Sequence, residues 1–260
     1  MVNPIQVKLK NNEVVLGLML HYPAAGIIEC MSAGWDWLWI DGQHGQIDYS
    51  NMLQCVRAAD LRGIPAIPRV SGHEYGAIGL IMDMRTAGIM VPMVDSPQQA
   101  ERLVEAVRFP PLGERSYGGR RVIDAEGRGY YEKANDETLL VLQIETLKAV
   151  ENAEAIAATA GVDALFFGAD DMKVRMGIPI NTPISESEEL AAAMKTTIKS
   201  AQNAGKVAGC VAPDASSMAR AKSLGYQLIA GGGDVAFLRT ASAEKLKELR
   251  NAVASSEKAG

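Results

Sequence analysis

The sequence predicts an α/β protein folded as a single (β/α)8 (TIM) barrel, and three observations carry that expectation. Eight short runs rich in Val, Ile and Leu recur along the 260 residues, each followed by a stretch of helical periodicity. Glycines stand where helix C-caps would fall, at Gly34, Gly63, Gly205 and Gly225, just ahead of the next apolar run. Eight such units at this length match a closed barrel better than a doubly wound open sheet, the alternative, which usually has fewer strands.

The expected strands are residues 14–20, 37–41, 64–69, 88–94, 139–145, 164–167, 206–211 and 227–230, and the expected helices 24–33, 49–61, 74–85, 97–107, 149–158, 187–204, 215–224 and 243–253. The run at 37–41, Trp-Leu-Trp-Ile-Asp, is apolar on both faces, as a strand buried in a parallel sheet must be. One connection is too long. Residues 108–138, rich in Arg, Gly and Tyr, read as an extended loop at the C-terminal face, where long loops act as lids or touch substrate. No repeat or linker divides residues 1–260, and the tail after 254 is expected to fray.

A net charge of −5 and the absence of a basic stripe argue against nucleic acid and against an acidic membrane surface. The N-terminus lacks a secretory signal, and no apolar span reaches transmembrane length, so the expected location is the cytoplasm. Three cysteines, widely spaced in apolar surroundings, read as reduced, packed thiols with no zinc spacing.

In a barrel the strand C-termini converge on one mouth, so polar groups ending different strands become neighbours. The second strand ends on Asp41 with His44 three residues on, the third on Arg69, the fifth on Glu145 after Gln143, and the sixth leads through Gly168 to Asp170 and Asp171. Buried charges are unfavourable unless partnered, which makes each a poor choice for structure alone. Glu145 and Asp171 offer hard oxygen ligands suited to Mg2+ or Mn2+, unless both are helix caps or salt-bridge partners. Arg69 can oppose an oxyanion or form a structural ion pair. Asp41 can orient His44 as a base, or merely cap a turn beside a surface histidine. A metal, a base and an arginine around one cavity describe proton abstraction or C–C cleavage next to a carbonyl. No lysine ends a strand in the mouth, and GxSxG, Walker and GxGxxG motifs are missing, so Schiff-base, serine and nucleotide chemistry fit less well.

The segments Trp37-Leu-Trp-Ile-Asp-Gly-Gln-His44, Pro68-Arg69, Val91-Pro-Met93, Phe109-Pro-Pro-Leu-Gly-Glu-Arg115, Gln143-Ile-Glu-Thr146 and Phe167-Gly-Ala-Asp-Asp-Met172 occur in an order that resembles a known family. The chain is similar, from about 17 to 249, to the HpcH/HpaI-type class II (metal-dependent) pyruvate aldolases, which include 4-hydroxy-2-oxoheptane-1,7-dioate and 2-dehydro-3-deoxyglucarate aldolases. That resemblance implies a (β/α)8 barrel, often a homohexamer built as a trimer of dimers with C-terminal helices exchanged between paired subunits. It implies a lyase that cleaves a 4-hydroxy-2-oxo acid reversibly to pyruvate and an aldehyde through a metal-bound enolate, with Mg2+, Mn2+ or Co2+ held by Glu145 and Asp171. Arg69 would stabilise the enolate, and His44, oriented by Asp41, would handle the proton of the aldol hydroxyl. Gln143, Gly168, Asp170 and Val211 are the implied substrate contacts.

Three departures concern the acceptor more than pyruvate. Gln43 stands where relatives carry Glu, Gly168-Ala-Asp-Asp-Met-Lys173 replaces Gly-Pro-Ala-Asp-Leu-Ser, and Leu18-Met19 replaces a Trp-bearing segment. His21 and His73 are further mouth candidates, Arg115, Arg120 and Arg121 could bind a distal anion, and Gly231-Gly-Gly-Asp234 reads as an anion-cradling loop. Oxaloacetate decarboxylation or a related condensation on the same site, and a non-catalytic barrel, are the competing functions.

Overall fold

The computed structural model describes residues 3–257. Its strands are β1 (Val15–Leu20), β2 (Trp37–Asp41), β3 (Ala66–Arg69), β4 (Gly88–Val91), β5 (Leu139–Ile144), β6 (Ala164–Phe167), β7 (Val207–Val211) and β8 (Leu228–Gly233). All pair in parallel with their sequence neighbours, and β8 returns to β1, closing the (β/α)8 barrel that the alternation of elements predicts.

Successive strand side chains point to opposite faces, and that parity sorts the core into two layers. Leu38 and Ile40 of β2, Leu140, Leu142 and Ile144 of β5, and Leu165 and Phe167 of β6 face outward under the helices. Trp37, Trp39, Ile67, Met90, Val141, Phe166 and Leu228 fill the lumen, with Trp39 edge-on to Phe166 at 5.3 Å between ring centroids. The barrel is a packed core, with no pore. Its floor is sealed by a helix not among those the sequence predicts, Pro4–Lys10, which starts on an Asn3 cap and inserts Ile5 and Leu9 into the lumen cluster. Seven residues are too few for a periodic signal.

The long connection is corrected in both content and place. It carries helices Arg120–Glu126 and Tyr131–Glu137 with a 3-10 turn between them, pinned by Arg115 stacked on Phe109 and Tyr117 stacked on Tyr130. It follows the helix Pro97–Val107, so it runs at the N-terminal end of the barrel, lining a cavity with Asn3, Pro65 and Ala87. A lid over the opposite rim is therefore not its role. The C-terminal helix is a continuous Asp234–Glu257, and residues beyond 257 lie outside the described chain.

Candidate active site

The same parity that stacks Trp37 and Trp39 in the lumen points Asp41 inward two residues later. In β3 it brings Arg69 inward after Ile67, and the strand register sets Asp41 opposite Arg69. Arg69 Nε donates to Asp41 Oδ1 at 2.9 Å and Nη2 to Oδ2 at 2.7 Å, a two-pronged pair. The guanidinium also lies 4.7 Å from the Trp39 ring centroid, and Nη1 donates to Gln143 Oε1 at 3.3 Å. Burial alone would raise the Asp41 carboxyl, but Arg69 and the amides of Gln43 and His44 outweigh it and hold it below the ordinary carboxylate range. This is a fixed, ionised pair whose cation faces the cavity.

Across the lumen two carboxylates are neighbours, and among the described residues neither is ion-paired to a guanidinium. Glu145 follows β5 and is 2% exposed, while Asp171 sits in the first turn of the helix Ala169–Met176. Glu145 Oε2 accepts one amide hydrogen bond, from Met93 at 3.0 Å. Met93 holds a left-handed backbone, φ 58°, an unusual conformation for a side chain of this size and one that aims its amide at the acid. Burial first, then the neighbouring Asp171, raises the Glu145 carboxyl above its usual range. Among the described residues no cation forms an ion pair with either acid, and no cluster of three or more His, Cys, Asp or Glu could hold a metal. Gly168 leaves the space they need, because a Cβ there would lie 2.6 Å from Glu145 Oε1. Arg69 and Arg175 pull the Glu145 carboxyl down without pairing to it, and two hard carboxylates with no ion-paired cation beside an open cavity fit a divalent cation that keeps positions free for substrate oxygens.

The histidines are not arranged as expected. Asp41 accepts the amide of His44 at 3.2 Å, yet its carboxylate is turned to Arg69, and among the described residues the exposed His44 ring makes no hydrogen bond. The imidazole that meets carboxylates is His21, with Nδ1 3.2 Å from Asp234 Oδ1 and Nε2 3.7 Å from Asp41 Oδ2. The proposed anion cradle is explained by the same acid. Gly231–Gly233 belong to β8, and the anion held there is Asp234 itself, which accepts the amides of His21, Tyr22 and Val235. Had the glycines been read as strand, Asp234 would have joined the other acids ending strands.

Asp41, His44, Arg69, Gln143, Glu145, Gly168, Asp170, Asp171 and Val211 all line one cavity of about 1080 Å3. That lies just above the usual range for ligand pockets, ~300–1,000 Å3, and leaves room for two reactants. Asp170 is engaged by Lys173, whose Nζ also donates to the Ile180 carbonyl, so the added cation is committed to its own loop. His73 contacts the Pro92 carbonyl and is outside the cavity. Arg115, Arg120 and Arg121 pair with Asp83, Asp124 and Asp60 on the displaced connection. Burial pushes the Cys55 thiol up to about 11 and Cys210 to about 12, which leaves neither fit to be a nucleophile.

A profile of the family described as HpcH/HpaI aldolase/citrate lyase matches residues 19–241. A hydroxypyruvate/pyruvate aldolase of Chromohalobacter salexigens is 35% identical over 222 residues, 84% of this chain and 86% of that protein. A 4-hydroxy-2-oxovalerate aldolase of Novosphingobium aromaticivorans is 39% identical over 180 residues, 68% of this chain and 69% of that protein. Among solved structures, an HpcH/HpaI aldolase/citrate lyase family protein of Burkholderia cenocepacia superposes with a TM-score of 0.87 at 30% identity, over 96% of this chain and 100% of that one.

Proposed function

The chain belongs to the HpcH/HpaI aldolase/citrate lyase family, and from that premise we propose how its cavity carries out class II aldolase chemistry, the reversible cleavage of a 4-hydroxy-2-oxo acid to pyruvate and an aldehyde. The observation that carries the proposal is Glu145, a buried carboxylate beside Asp171 with no cation paired to it, opposite a guanidinium locked in place. Glu145 and Asp171 would hold a divalent cation, Mg2+ or Mn2+, with Co2+ a further candidate. When bound, that ion supplies Lewis-acid polarisation of the 2-oxo group and neutralises the two acids.

The protein's own groups do the rest. Arg69, held by Asp41, Gln143 and Trp39, sets a positive charge where oxygen charge develops as the pyruvate half becomes an enolate, at no further reorganisation. Backbone amides from Gly168 to Asp171, at the start of the helix Ala169–Met176, would receive the substrate carboxylate, with Gln143 and Val211 as flanking walls. His44, exposed at the cavity, would pass the aldol proton to and from solvent. The same groups could stabilise the enolate left when oxaloacetate loses CO2, so decarboxylation is the expected side reaction.

Phe237, Leu238, Leu246, Leu249 and Val253 are exposed along the C-terminal helix. Four of them fall on one face at helical spacing, which supports a homo-oligomer in which this helix packs on another subunit; a hexamer is the proposed state. A cytoplasmic location completes the proposal, supported by the free thiols Cys30, Cys55 and Cys210. No helix among the described residues is long and apolar enough to cross a membrane.

The test is to incubate the protein with pyruvate, a divalent ion and glycolaldehyde or succinic semialdehyde in deuterated water. Adduct formation and deuterium in the pyruvate methyl are expected; no exchange with Mg2+, Mn2+ or Co2+ would end this reading.

A further inference from the structure

We propose that His21, oriented by Asp234, is a second catalytic base of the cavity and the group that directly takes the proton of the aldol hydroxyl. The proposal rests on the aldolase reading and deepens it. Asp234 is buried and accepts amide hydrogen bonds from His21, Tyr22 and Val235, at 3.1, 2.9 and 2.8 Å. Those donors and the His21 ring outweigh burial and keep the acid ionised. An ionised carboxylate only accepts, so His21 Nδ1 carries the proton of the 3.2 Å contact and the ring is held in one orientation.

The backbone of His21 is pinned as firmly as its ring. Its amide is held by Asp234 and its carbonyl accepts the Gln46 amide at 2.7 Å. Gly45 permits that approach, since a Cβ there would lie 3.0 Å from the His21 oxygen. Nε2 therefore has a set position, on the wall that also carries Asp41 and Arg69. Asp41, 3.7 Å away, is already engaged by Arg69 and two amides and does not need Nε2 as a partner. A base held by a carboxylate, on the same wall as the group that faces the enolate oxygen, suits the hydroxyl carbon. In cleavage Nε2 accepts the hydroxyl proton as the C3–C4 bond breaks, C4 becomes the aldehyde carbonyl, and the bonding electrons pass to C3 of the pyruvate enolate. Synthesis reverses each transfer. His44, the more exposed ring, then connects this base with solvent.

The experiment compares two rates in the metal-supplemented full-length protein: cleavage of a 4-hydroxy-2-oxo acid, and deuterium exchange of the pyruvate methyl without aldehyde. A positioned base contributes typically ~10²–10⁴-fold, so in His21→Ala the ratio of cleavage to exchange should fall at least about tenfold, with added imidazole restoring part of it. A ratio that falls less than tenfold, or that imidazole leaves untouched, overturns the proposal; a merely structural His21 would depress both rates together. If His21→Ala does not fold, His21→Gln, which keeps a donor for Asp234, gives the same ratio test. Wild-type protein that shows no exchange with any divalent ion would instead refute the aldolase reading, so the two failures are distinct.

Discussion

The lumen holds two buried acids of the same depth and opposite temperament. Asp41 ends an inward-pointing series of apolar side chains and Glu145 an inward series of Leu139, Val141 and Gln143, and they are 1% and 2% exposed. Strand register gives Asp41 a guanidinium, and its carboxyl is held low. Glu145 faces a glycine and a second acid, and its carboxyl is pushed up. Burial is the largest single influence on both, so the neighbour across the strand gap decides the sign. The difference teaches that one acid is satisfied by the cation across the strand gap, while the other has no ion-paired cation among the described residues.

The sharpest break of this comparison is Glu145→Gln. A cation contributing several kcal/mol to oxygen charge stabilisation corresponds to a loss of ~10³-fold or more in methyl exchange. On the proposed function Mg2+ or Mn2+ should raise the melting temperature of the wild type, and the variant should lose that rise. An unfilled Glu145 has a folded value above its unfolded one, so its penalty on folding is absent below the ordinary glutamate range and grows as pH rises toward and through the raised value. Metal-free melts between about pH 4 and pH 8 should therefore favour the Gln variant increasingly with pH, and a wild type that gains relative stability over that window would contradict the reading.

Arg69→Ala tests the satisfied side. Removing one partner of a buried pair is worth about 3–5 kcal/mol of stability, read by denaturant melts, and exchange should fall on the order of 10²-fold. Asp41 contributes stability above the ordinary aspartate range that is lost as pH falls through its lowered folded value. In the Ala variant that acid-side loss should shrink, and an unchanged acid limb would mean the pair is not what holds Asp41 low.

Gly168→Ala asks how closely Glu145 must be seated. Its Cβ would crowd the Glu145 carboxylate, and disturbing a ligand's support typically weakens metal binding 10–100-fold, measurable by calorimetric Mn2+ titration. Met93→Gly is the mildest. Relief of ~1 kcal/mol of left-handed strain is offset by glycine's chain entropy, so stability should move by less than about 1 kcal/mol, with the amide to Glu145 retained and metal affinity little changed.

Much of the architecture was readable along the chain. Apolar runs such as 37–41 and 164–167 coincide with β2 and β6, because a strand buried on both faces leaves little else for the sequence to say. The length of the connection at 108–138 suggests a loop over the mouth, but its position after a helix puts it at the rim opposite the cavity. Asp234 is not legible as a strand end because three glycines carry no strand signal, although pairing of Gly232 and Gly233 with Leu18 and Met19 of β1 makes them the end of β8.

Which side chains reach the mouth is a local matter. Period-two alternation and a polar residue at the end of an apolar run suffice to bring Asp41, Arg69, Gln143 and Glu145 there, since parity needs no knowledge of any other strand. Which of them touch is not local. Asp41 takes Arg69 and leaves the His44 ring, while His21 takes Asp234 from the far end of the chain, because barrel closure and register set those distances and pairing energies fall steeply with separation in a buried site.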